Sequence, residues 1–106
     1  MTVLGIDPGD KRVGVAAADL ETRFARPVEV IDVTETDVIA RILEIVDELA
    51  ATRIVVGKPV GLSGREGPAV DKQKEFLDRL RGATDLDIAE YDERLTTVVA
   101  EAGLLR

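Results

Sequence analysis

Residues 3–19 read VLGIDPGDKRVGVAAAD, and the fold turns on this stretch. Thr2 to Ile6 and Arg12 to Ala18 read as short strands, and Asp7-Pro8-Gly9-Asp10 between them places proline and glycine where a tight turn wants them. A hairpin is expected. Residues 3, 5 and 7 share one strand face, so Asp7 stands in line with Gly5 at the end of an apolar run. Across the hairpin, Gly14 and the alanines keep the surface shallow, which lets something bulky approach the acid.

Beyond the hairpin, a third strand is expected at 28–33, after Pro27, with Thr34 or Thr36 as N-cap of the next helix. Val38, Ile39, Ile42, Leu43, Ile45, Val46 and Leu49 recur at helical spacing, with Arg41, Glu44, Asp47 and Glu48 opposite them. That helix should cover a sheet. Arg53 to Val56 is a short apolar run ending at Gly57, the pattern of a central strand buried on both faces. After the glycine-rich GKPVGLSGREGP, Pro68 suits the first position of a helix running to about Arg81. Residues 87–91 make a fifth strand, and Thr96 can cap a last helix still in progress at Arg106. A hairpin followed by alternating strands and helices gives an α/β three-layer domain over 1–106 with a mixed five-stranded sheet. No repeat, low-complexity tract or linker interrupts it.

Composition narrows the chemistry. The 106 residues suit one domain, and 45% hydrophobic with 33% charged residues is a soluble globular balance. Phe24, Phe76 and Tyr91 are the only aromatics, so the core is aliphatic and base stacking has few candidates. With neither cysteine nor histidine there is no disulfide, thiolate or imidazole chemistry, and catalysis falls to carboxylates, lysines and hydroxyls. No targeting segment or membrane-length apolar run is present, which reads as cytoplasmic. A formal charge of -7 argues at first sight against nucleic acid, yet Lys11 and Arg12, Lys58, Arg65 and other cations come in small groups. The fold decides whether they share a face.

Asp7 has two readings. It is a turn residue accepting local backbone N–H bonds, or it is half of a site completed by Asp92 and Glu93 in YDERLTT, where the fifth strand gives way to helix. Carboxylates gathered from different strands repel unless a cation or proton lies between them. Hard oxygen donors alone point to Mg²⁺ or Mn²⁺, and a pair of such ions about 3.5 to 4 Å apart activates water against a phosphodiester. The glycine-rich loop lacks the G-x-x-x-x-G-K-[ST] order, since proline follows Lys58, so it is a poor phosphate cradle and reads as a plain loop. Lys58 and Arg65 remain candidates for a polynucleotide backbone.

Together, GIDPGDKRVGVAAAD, RIVVGKPVGLSGREGP and YDERLTT resemble the YqgF (RuvX) family of Holliday-junction-resolvase-like proteins, regarded as nucleases maturing pre-16S rRNA. The resemblance covers nearly the whole chain, and its most specific piece is D-E-R-L-T-T after a strand. It implies a ribonuclease H-like fold, with Asp7 as first-strand catalytic and metal-binding acid and Glu93, with Asp92 as its understudy, as the second. By the same resemblance Lys11 and Arg12 match a basic pair after the turn, and Arg94, Thr96 and Thr97 a polar patch beside the acid. Related junction resolvases carry a glutamate on the fourth strand, where this chain reads Val56-Gly57-Lys58, so the likeness is to the YqgF branch. Lys58 stands where the family is usually apolar. Family members also run on through a basic segment to a helix bearing a third aspartate, so the last segment is expected to be missing here.

Three functions follow. The first is a metal-dependent endonuclease acting on structured RNA or branched DNA, with a homodimer left open. The second is a non-catalytic nucleic-acid or ribosome-assembly binding module with an incomplete metal site. An actin-like ATPase fails on length, and Asp10 would repel phosphate where a hydroxyl should meet it.

Overall fold

The computed structural model describes residues 1–9, 11–19, 21–22, 24–57 and 68–90, the side chains of the last span from 72 onward. The hairpin forms as its sequence dictates. β1 (Thr2–Asp7) pairs antiparallel with β2 (Arg12–Asp19) from Thr2↔Asp19 to Asp7↔Gly14. The turn is tight enough that a Cβ on Gly9 would meet the Arg12 carbonyl oxygen at 2.6 Å, so only glycine fits there.

β3 (Phe24–Asp32) pairs antiparallel with β2 and starts four residues before the expected 28, running through Pro27. Proline is admitted because β3 is an edge strand, and the pairing register shifts between Val15 and Ala16, opposite this stretch. Asp32 ends the strand in an Asx turn, its carboxylate accepting from the Thr34 N–H at 2.9 Å and hydroxyl at 2.7 Å. Thr34 is thereby occupied. The N-cap of α1 (Val38–Leu49) is Asp37, whose carboxylate accepts from the Ala40 N–H at 3.2 Å, rather than Thr34 or Thr36.

β4 (Arg53–Val56) lies parallel beside β1, and after α2 (Pro68–Ala83) the chain returns as β5 (Asp87–Glu90), parallel beside β4. The sheet order is β3-β2-β1-β4-β5, so β1 and β4 sit inside and the carboxyl ends of β1, β4 and β5 align. The expected strand residue 91 and the helix expected from Thr96 lie outside the described residues.

One sheet face carries Leu4, Ile6, Val13, Val15, Ile54, Val56 and Ile88, packed with Ile39, Ile42 and Ile45 of α1 and Leu77 and Leu80 of α2 in one buried aliphatic cluster. Each such side chain contributes about 1.5–3 kcal/mol on burial, which holds both helices to this face. Arg41 adds a bidentate pair to Glu29 at 2.7 and 2.9 Å, tying α1 to β3. Its guanidinium hydrogen bonds hold the Glu29 carboxyl below the usual glutamate value. Among the described residues no helix is long and apolar enough to cross a membrane.

Candidate active site

Asp7 is the last residue of β1 and half-buried, on the face opposite the helices because it alternates with Ile6. Its partner across the hairpin is Gly14, and a Cβ built there would lie 3.7 Å from the Asp7 Cβ, an ordinary contact. In the β1–β2 row, Gly14 puts no side chain beside Asp7. Beyond Gly14 in the same row stands Val30 of β3, exposed to solvent.

The neighbouring strand end is pinned from two sides. Gly57 donates its N–H to the Ile6 carbonyl at 2.9 Å, extending the β1–β4 ladder to the residue before Asp7. Its own carbonyl accepts from Gln73 Nε2 at 2.8 Å, and Gln73 is buried. An amide on α2 thus fixes the strand end beside the acid. The sequence held a signal for it: 73, 77 and 80 fall at i, i+4 and i+7, so Gln73 occupies a core position and needs a hydrogen-bond partner.

β5 reaches the same edge through Ile6↔Val56 and Val56↔Glu90, two strand spacings or roughly 10 Å from β1. Glu90 shares the helix-side row of Val56 and is not on the Asp7 face. Asp92 and Glu93, the expected partners of Asp7, lie outside the described residues, as do Lys58, Arg65, Arg94, Thr96 and Thr97.

Of the expected basic contacts, Lys11 and Arg12 are described and both are exposed. Arg12 alternates with Val13 and so shares the face of Gly14 and Asp7, opposite Asp32 of β3. The Asp32 carboxyl is held low first by the Thr34 hydroxyl, then by backbone N–H bonds and the Arg12 charge. Asp32 is a second acid at this edge that sequence reasoning did not single out. The described residues contain no cluster of three metal-ligating side chains. The described acids on this sheet face, Asp7 and Asp32, are carboxylates, and with no histidine or cysteine in the chain the donors are hard oxygens of the kind Mg²⁺ or Mn²⁺ takes.

A mixed 3-2-1-4-5 sheet with both described helices on one face and an acid closing its central first strand defines a ribonuclease H-like domain. Thermus thermophilus RuvC in complex with a Holliday junction substrate superposes with a TM-score of 0.65 at 19% identity, covering 100% of this chain and 81% of that one. The RuvX family model, described as Holliday junction resolvase, matches residues 1–106. The chain is 42% identical to a Desulforudis audaxviator protein over 99% of its own length and 75% of the relative's. It is 46% identical to a Nocardioides protein over 95% and 68%. Both relatives are described as candidate pre-16S rRNA nucleases. The chain belongs to the RuvX family.

Proposed function

We propose that this chain is a metal-dependent nuclease hydrolysing phosphodiesters in structured nucleic acid, with precursor 16S rRNA as substrate and branched DNA as the alternative. The observation that carries the reading is Asp7 at the carboxyl end of the central strand, with Gly14 putting no side chain beside it. The family match and the relatives' descriptions support the substrate class.

Asp7 and Glu93, with Asp92 beside it, are the proposed catalytic acids and ligands of Mg²⁺ or Mn²⁺. When bound, such ions activate a water toward phosphorus and stabilise the leaving oxygen. The water oxygen, losing one proton, bonds to phosphorus as the bridging P–O bond breaks, and the departing oxygen takes up one proton, so the two transfers cancel. Asp7 supplies negative charge from a strand end that Gly57 and Gln73 hold in place, so it does not have to be ordered when substrate arrives. Lys11, Arg12, Lys58, Arg65 and Arg94, with the hydroxyls of Thr96 and Thr97, are the proposed contacts to the nucleic-acid backbone. The reading takes residues 1–106 as one domain and the cytoplasm as its location, and a homodimer is a form for sedimentation to test.

Cleavage of precursor 16S rRNA and of a four-way junction, with Mg²⁺ and with Mn²⁺, tests the proposal. Asp7→Asn should lower the rate roughly hundredfold or more while leaving the fold intact, because a neutral amide is a poor ligand for a hard cation. Equal rates for both proteins would overturn the assignment of Asp7. Binding without cleavage by the wild-type chain would make it a binding module.

A further inference from the structure

On the helix side of the sheet, a cleft of about 410 Å³ opens between α2, the start of α1 and the turn that follows Asp7. Its walls are Val13, Val33, Val38 and Phe76, and Lys72 and Arg79 of α2 line it as well. The volume lies in the range of small-ligand sites, which combine apolar walls with a few placed polar groups. Phe76 is half-buried, one of only three aromatics in the chain. Lys72, Phe76 and Arg79 follow at i, i+4 and i+7, so they form one stripe of α2, its two cations roughly 10 Å apart along the axis with the ring between them. Glu75 also lines the cleft, and Arg79 is an exposed cation on its wall that an anionic ligand can reach. Arg79 makes no ion pair with another described residue. The Gln73 bond to Gly57 ties α2 to the end of β4 beside this stripe.

We infer that this cleft binds a nucleotide, its base against Phe76, Val33 and Val38 and its phosphate at Arg79. A flat apolar ring fits the walls, and an anion on that ring is what the Arg79 guanidinium favours over a neutral aromatic ligand. The nucleotide comes either from a bound polynucleotide, since the cleft begins at the turn after Asp7, or from the free pool. The inference does not depend on metal chemistry at Asp7.

Metal-free NMR titrations of the chain with AMP, ribose 5-phosphate and a short single-stranded oligoribonucleotide separate the cases. AMP is expected to shift the Val13, Val33 and Val38 methyls and the Phe76 ring, and ribose 5-phosphate to bind about tenfold more weakly, the scale of one base–aromatic stack. Phe76→Leu and Arg79→Glu, the latter at an exposed position, should each weaken AMP about tenfold, and Asp7→Asn should leave it unchanged. Shifts with the oligonucleotide but not AMP assign the nucleotide to a polymer, and the reverse assigns it to the free pool. No cleft shifts with either ligand, or shifts that ignore both Phe76→Leu and Arg79→Glu, would overturn the inference while leaving the cleavage assay to judge Asp7 separately.

Discussion

Asp7 and Gly14 face each other across the β1–β2 ladder, on the sheet face turned away from both described helices. Glycine in a strand interior is destabilising by roughly 0.5–1 kcal/mol relative to alanine, and nothing among the described residues requires it at this position. Gly14 is not among residues with a left-handed backbone, and its nearest neighbour to an added Cβ is 3.7 Å away. The missing side chain serves the space beside the acid. Gly14→Ala should therefore gain up to about 1 kcal/mol in urea unfolding and lose cleavage, and Gly14→Val should lose cleavage almost completely with the fold retained. Full activity in Gly14→Val would separate the glycine from the site.

Gln73 makes the second test of how the edge is built. Gln73 is buried and its Nε2 bond to the Gly57 carbonyl is part-buried, so Gln73→Leu leaves that carbonyl without its donor and should cost about 1 kcal/mol. Gly57 also closes the ladder to Ile6, one residue before Asp7, so loosening it should lower the cleavage rate more than nucleic-acid affinity. A variant equally active and equally stable would show that α2 does not position the strand end.

Much of this architecture was legible because its signals are local. The hairpin follows from two apolar runs around Pro8-Gly9, and α1 from apolar residues at helical spacing. What was misread depends on partners far away in the chain. β3 reaches back to Phe24 through Pro27 because it lies at the sheet edge, which no window of sequence reveals. Thr34 lost the N-cap role to Asp37 because Asp32 had already engaged its hydroxyl. At the site, Asp7 stood out as a carboxylate closing an apolar strand. Asp32 did not, since its closeness to Arg12 arises from β2–β3 register rather than from sequence spacing.

The C-cap of α1 offers a gain in stability. Ala50 adopts φ 52°, left-handed backbone that is costly for any residue with a Cβ, and its N–H and that of Ala51 close the helix end onto Asp47 and Val46. Glycine adopts this conformation without the steric penalty. Ala50→Gly should raise the unfolding free energy by about 1 kcal/mol, read by urea titration, with cleavage unaffected because the cap lies outside the candidate site. A loss of stability would mean that unfolded-chain entropy outweighs the relief of strain.

Glu29 predicts how acid weakens the fold. Its carboxyl is held below the ordinary glutamate value chiefly by the hydrogen bond from Arg41, and the same pairing, with a further bond to Glu48, raises Arg41. Because the folded value lies below the unfolded one, the stabilisation is complete above the ordinary glutamate value and disappears as pH falls through the lower, folded value. Between those points the unfolded chain takes up a proton that the folded chain refuses. Glu29→Gln removes this titration without changing the side chain's size. The stability difference between wild type and Glu29→Gln should thus be constant near neutrality and shrink on acidification, measured by urea unfolding across a pH series. Asp32 shifts in the same direction through Thr34, so it acts equally in both proteins and cancels in the difference. A difference that grows toward low pH would mean that the Arg41 pair does not hold α1 to β3.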